Sequence, residues 1–184
     1  MSRLRFTLPA ITLALGVLLA PAAADAAPCA GAYARPSAAN GAVIRHATLC
    51  LLNRQRARHG LRRLRQQRAL TRAATAYARL MVRERFFDHV SPAGSTMTQR
   101  IRHTNYMRDT RAWSIGENLA WGAGAAGMPA VIVNAWMHSP GHRRNILDGR
   151  FREIGIGIAA GAPRGAGDAV AGGTYATEFG VRRR

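Results

Sequence analysis

Lysine is absent from this chain of 184 residues: all 27 basic side chains are arginine, set against 9 acidic ones for a net charge of +18. That one-sidedness reads as the codon preference of a GC-rich genome rather than selection for a phosphate-binding surface. The arginines are scattered, with no aromatic platform and no nucleic-acid motif among them, so specific nucleic-acid recognition is not expected. The surface must still be strongly cationic, which makes an anionic lipid or another anionic cell-envelope component the expected partner. Cysteine is nearly absent too: only Cys29 and Cys50 occur. Missing as well are the H-E-x-x-H and G-x-S-x-G patterns of zinc proteases and serine hydrolases. His138 and His142 have the i, i+4 spacing of a zinc pair, but Pro140-Gly141 between them breaks the shared helical face.

Nor is there a hydrophobic run long enough to cross a bilayer, which takes about 20 residues. The run Leu8–Ala20 is shorter, follows Arg3 and Arg5, and leads to Ala24-Asp25-Ala26. A short apolar core after a basic start and before small residues is the pattern of a secretory signal peptide. Residues 1–26 are therefore expected to be removed and the product to be secreted to the exterior or the cell envelope. Export brings the chain into an oxidising compartment, where Cys29 and Cys50 should form a disulfide. Closing that loop contributes roughly 3 kcal/mol in the chain-entropy account.

Residues 27–42, rich in Ala, Pro, Ser and Gly, read as an N-terminal arm, and residues 43–181 as one domain. A first helix is expected from Val43, with Ile44, Ala47, Leu51 and Leu52 inward, Arg54, Arg56 and Arg58 outward, and Gly60 as a left-handed cap. Leu70, Ala73, Ala74, Tyr77, Ala78 and Met81 follow the 3.6-residue repeat of a second helix. A short helix is expected over Thr96–Arg102. Another should start at Pro129, whose fixed φ suits a first turn, and stop at Ser139-Pro140-Gly141. Glu153–Ala159 and Thr174–Gly180 read as a strand pair, and Arg182–Arg184 as a frayed basic tail. Helices first and a strand pair last give an α+β sandwich.

Three segments gather polar groups in what read as turns: 86–92, 115–120 and 139–147. His89 has the bland reading of a helix C-terminal dipole partner. Glu117 lies in an apolar stretch, where an unpaired carboxylate is costly, so an arginine partner is its bland reading. His142 reads equally as a capping or surface histidine.

Taken in order, Asn53-x-x-Arg56, Leu64, Leu70, Phe87-x-His89, Gly116-Glu117-Asn118-Leu119-Ala120, Trp136, Ser139-Pro140-Gly141-His142-Arg143-x-Asn145-Ile146-Leu147 and Glu153-Ile154-Gly155-Ile156-Gly157 resemble the bacterial branch of the CAP superfamily. That superfamily, also called SCP-like, takes in the cysteine-rich secretory proteins, antigen 5 and the pathogenesis-related 1 proteins. The resemblance runs from about Val43 to Gly180. It implies a three-layer α-β-α sandwich with a small central antiparallel or mixed sheet and a cleft holding two histidines and two acids. By motif the histidines are His89 and His142, the candidate ligands of Zn²⁺ or another divalent metal. Glu117 is one acid and the candidate catalytic base. The second acid's place, three residues after Trp136, holds Ser139, so the tetrad is incomplete. What the resemblance implies is a secreted binding module for a metal ion, a lipid-like ligand or an envelope ligand. A metal-dependent hydrolase and a structural or host-interaction module are the alternatives.

Overall fold

The computed structural model describes residues 28–163 and 171–183. The expected leader, 1–26, lies outside the described residues. Five helices and four strands follow in order: α1 (Gly41–Arg58), β1 (Arg65–Gln66), α2 (Arg68–Arg83), α3 (Met97–Arg102), β2 (Ala112–Ala123), α4 (Pro129–His138), α5 (Pro140–Leu147), β3 (Glu153–Ala160) and β4 (Gly172–Arg183), with a 3-10 turn at Gly124–Gly127. The strands form one mixed sheet in the order β1-β3-β4-β2. The expected strand pair is there as β3 and β4, antiparallel from Glu153 opposite Gly180 to Ala160 opposite Gly173. β1 joins β3 in parallel.

Alternation along β3 sorts the two faces, because successive strand side chains point to opposite sides. Ile154, Ile156 and Ile158, with Tyr175 and Phe179 of β4, pack into one cluster with Ile44 and Leu52 of α1, Trp136 of α4 and Ile146 of α5. Ala159 and Ala176 face the other way, against Ala74, Tyr77 and Ala78 of α2. Gly155 and Gly157 lie on this second face. A Cβ on Gly155 would stand 2.0 Å from the Leu70 carbonyl carbon, and one on Gly157 2.1 Å from that of Ala74. The helix rests directly on the strand backbone, which explains why the sequence alternates Ile with Gly here. Ile101 of α3 packs beside Leu70 and Ala73 on the same side. The result is an α-β-α sandwich.

Four expectations change. First, residues 115–120 are not a turn. They form the middle of β2, paired with β4 along the whole length from Ala112 opposite Arg183 to Ala123 opposite Gly172. Glycine and polar residues hide this strand from a propensity reading, yet Gly116 through Leu119 are buried. Second, Ser139-Pro140-Gly141 ends one helix and starts the next: Ser139 is at once the C-cap of α4 and the N-cap of α5, with Pro140 in the first turn of α5. Third, Arg56 is buried, not on an outer face. Its guanidinium donates to the carbonyls of Arg62 (2.8 Å), Ile146 (2.7 Å), Asp148 (3.0 Å) and Phe151 (3.3 Å), tying α1 to the end of α5 and the approach to β3. Fourth, the basic tail is ordered through Arg183 as the end of β4, where Arg182 donates to the Tyr106 carbonyl at 3.0 Å.

Gly60 has the left-handed φ of +67° expected of it. Cys29 and Cys50 are bridged, anchoring the arm to α1.

Candidate functional site

β2 is an edge strand, and its residues alternate between two tasks. Asn118 points to the α5 side, donating to the His142 carbonyl at 3.0 Å and accepting from Asn145 Nδ2 at 2.8 Å. Asn145 also donates to the Glu117 carbonyl at 3.1 Å. Trp136 Nε1 donates to the Leu119 carbonyl at 2.9 Å. These bonds pin α4 and α5 to the strand, so the two asparagines of the G-E-N and H-R-x-N segments are fasteners.

Glu117 points to the other face, and there the polar groups converge. α2 ends at Arg83, and Arg85 turns the chain with a φ of +54°. Phe86 is then buried, and Tyr77 donates its hydroxyl to the Asp88 carbonyl at 2.6 Å, which fixes the loop carrying His89. His89 therefore stands beyond the helix end, and the dipole reading does not apply. Its Nδ1 donates to Glu117 Oε1 at 2.7 Å. Glu117 Oε2 accepts from Arg100 Nη2 at 2.5 Å. The same guanidinium donates through Nη1 to the carbonyls of His89 (3.1 Å) and Ser95 (2.8 Å) and lies 3.3 Å from the centroid of the Tyr77 ring. Arg100 sits on α3, whose start is held by a capping box between Thr96 and Gln99. The bland reading of Glu117 is thus half right: it has its arginine, and it holds a histidine as well.

The Glu117 bond raises the His89 pKa above the ordinary imidazole value against the opposing effect of burial. His142 moves the other way. Burial lowers it first, and the nearby charge of His89 lowers it further. Its ring lies 6.5 Å from that of Trp136.

Sequence reasoning placed the fourth group at Ser139 and missed another acid. Ser139 lies at the α4–α5 joint and makes no side-chain cap bond. Glu178 of β4 stands directly opposite Glu117 in the ladder. It is fully buried, and among the described residues neither of its carboxyl oxygens has a donor from another residue. Complete burial, then the charge of Glu117, raise its pKa well above the carboxylate range, with Arg100 opposing. Two carboxyls facing each other, with one arginine bonded to Glu117 alone, favour a proton held on Glu178. The signal was available in Thr174–Gly180: an acid at an inward position of a strand otherwise made of small and aromatic residues.

The candidate metal donors by motif are the imidazoles of His89 and His142. Among the described residues, no group of three or more His, Cys, Asp or Glu side chains is arranged to hold a metal ion. Glu117 is occupied by His89 and Arg100. The bond at Nδ1 leaves Nε2 of neutral His89 as the free lone pair. Two imidazoles fall short of the closed four-ligand site of structural zinc.

Residues 49–175 match the family described as "Cysteine-rich secretory protein family". YkwD of Bacillus subtilis (strain 168) is 35% identical over 107 residues, covering 58% of this chain and 39% of that protein. The Bacillus subtilis membrane protein YlbC is 28% identical over 112 residues, 60% of this chain and 30% of its own length. The chain thus spans well under half of each of these two relatives. Among solved structures, an outer surface protein of Borrelia burgdorferi superposes with a TM-score of 0.59 at 24% identity, covering 73% of this chain and 90% of that one. An extracellular SCP-domain protein of Bacillus anthracis superposes with a TM-score of 0.58 at 24% identity, covering 78% and 40%. At that identity the likeness is one of fold. No described helix is long and apolar enough to cross a membrane. The ordered motifs, the sandwich and the match over residues 49–175 agree: this chain belongs to the cysteine-rich secretory protein (CAP) family.

Proposed function

We propose that this protein is an exported binding module of the cell exterior or envelope. In this reading its cleft engages ligands through His89 and His142, takes up a divalent ion such as Zn²⁺ in exchangeable fashion, and carries out no turnover. The observation that carries the reading is the 2.7 Å bond from His89 Nδ1 to Glu117. It fixes one tautomer and leaves Nε2 free, the usual arrangement by which a neighbouring carboxylate orients a histidine ligand. The lowered pKa of His142 supports it, since a neutral imidazole is the ligating form. Arg100 argues against Glu117 as a free base, because the carboxylate already neutralises a buried cation. Export is supported by the leader pattern, the Cys29–Cys50 bridge and the extracellular or outer-surface description of the solved neighbours.

Calorimetric titration of Zn²⁺ into the mature chain tests this. Weak binding is expected, with His89→Ala and His142→Ala each losing about tenfold or more. Ser139→Glu, which restores the family's missing acid, is expected to tighten it. Equal affinity in all variants would make the two histidines structural.

A further inference from the structure

Four residues along β2 from Glu117, the sheet ends in a row of basic groups. Arg65 of β1 is opposite Glu153 of β3, Glu153 is opposite Gly180 of β4, and Arg182 is opposite Trp113 of β2. Two cavities lie along this row, of about 1090 and 510 Å³, and they share Arg152, Val181 and Arg182 in their walls. Together they make one track across the sheet end, from edge strand to edge strand. At about 4.8 Å per strand spacing it is about 14 Å long.

Its charge is unbalanced. Arg62, Arg63 and Arg65 line the larger cavity, are exposed, and make no side-chain hydrogen bond or ion pair among the described residues. Glu153 is the single carboxylate lining either cavity among the described residues. It is already engaged, accepting the Tyr106 hydroxyl at 2.6 Å and lying 3.5 Å from Arg182 Nε. A concave wall of one sign concentrates the field there beyond what the same charges produce on a convex surface. At the other end Trp113 lines the smaller cavity and is 40% exposed.

We infer that this track is a second binding site, separate from the His89 cleft, for an anionic polysaccharide. Guanidinium groups match carboxylate and phosphate oxygens with paired, planar donors. An exposed indole supplies a flat apolar face at which a sugar ring stacks while its nitrogen stays wet. The length suits several consecutive sugars better than one small ion. Arginine supplies five of the thirteen residues lining the larger cavity and four of the nine lining the smaller, so an anionic group finds a guanidinium along the whole track.

The test is fluorescence anisotropy on the mature chain at one fixed salt concentration, with chelator present so that the His89 cleft plays no part. The probes are labelled oligogalacturonate, labelled dextran phosphate and, lacking any sugar, labelled inorganic polyphosphate. The triple variant Arg62→Ser, Arg63→Ser, Arg65→Ser is expected to weaken both saccharides by about tenfold or more. The triple variant Arg79→Ser, Arg102→Ser, Arg144→Ser removes the same charge outside the track and is expected to cost less than about threefold. Trp113→Ala should weaken the saccharides and leave polyphosphate unchanged. The tighter of the two saccharides identifies the anionic group preferred. Equal losses from the two triple variants would reduce the track to diffuse surface charge. Indifference of the saccharides to Trp113→Ala, or tighter binding of a single-stranded DNA probe than of either saccharide, would equally overturn the proposal.

Discussion

On one face of the sheet β3 presents Ile154, Ile156 and Ile158 to α1, α4 and α5; on the other it presents Gly155, Gly157 and Ala159 to α2. The first face is held by bulk: large apolar side chains interdigitate, and the stabilisation scales with the area withdrawn from water. The second is held by proximity, with a helix backbone lying on a strand backbone. Proximity leaves room for chemistry. Where α2 draws close, Tyr77 fixes the His89 loop, and His89 and Arg100 reach the inward carboxyl of Glu117. A polar cluster can be buried on the small-residue face because its members largely satisfy one another; the exceptions are Arg100 Nε and the carboxyl of Glu178, which lowers its own cost by holding a proton. The same positions among the isoleucines would have no such partners.

The sharpest way to break this contrast is to exchange the two materials at neighbouring residues. Gly155→Leu sets a side chain against helix backbone that cannot yield as a side chain could, and should cost more than about 5 kcal/mol, leaving no cooperative unfolding transition. Ile156→Ala, one residue on and facing the other way, should cost about 3 kcal/mol and still fold. Urea denaturation of both variants checks the order. If Gly155→Leu is the milder of the two, the close helix–strand approach is wrong.

A smaller effect separates the faces by function. The Cys29–Cys50 bridge ties the arm to α1, on the isoleucine face. Replacing both by serine should lower stability by about 3 kcal/mol while leaving the Zn²⁺ binding proposed for His89 and His142 unchanged at temperatures where the variant is folded. Loss of binding in a folded variant would show that the two faces are coupled.

The smallest expected change is one of slope. Glu178 has a raised pKa in the native state, so between the ordinary carboxylate range and that higher value the native chain holds a proton the unfolded chain has lost. Stability from this group is therefore fully present at acid pH and declines as pH rises through the window. His89, also raised, adds a decline of the same sign above the ordinary imidazole value. Glu178→Gln keeps the shape and a donor but cannot ionise. Its stability between about pH 4 and the imidazole range should be flatter than that of the parent, with the His89 part of the slope intact. Denaturation midpoints measured across pH decide it, and an unchanged slope would mean that Glu178 is already ionised against Arg100.

The helices were legible because their apolar positions repeat every 3.6 residues, α2 most plainly. β3 and β4 were legible from alternation. β2 was not, because an edge strand that uses Gly116 and Asn118 to seat α5 and Glu117 to build a cleft carries functional residues where propensity expects β-branched ones. Arg56 was misassigned because a helical pattern places a charged side chain outward by default, and only carbonyls from Arg62, Ile146, Asp148 and Phe151, some of them 90 or more positions away, make its burial tolerable. Arg100 and Glu178 were missed for a related reason. Arg100 is one arginine among many and Glu178 a lone acid in a strand of small and aromatic residues, and each acquires its surroundings from another element.

The order of residues by itself therefore determined the family and the disulfide pair and singled out His89, Glu117 and His142 as candidates, because motif spacing and residue type are local properties of the chain. Only the tertiary structure decided what surrounds them. Pairing β2 with β4 set Glu178 opposite Glu117, packing α3 beside α2 delivered Arg100, and bringing four strand ends together made a basic track from arginines that are scattered in the sequence. Electrostatic partnership depends on distance through space, and a chain fixes that distance only when it folds.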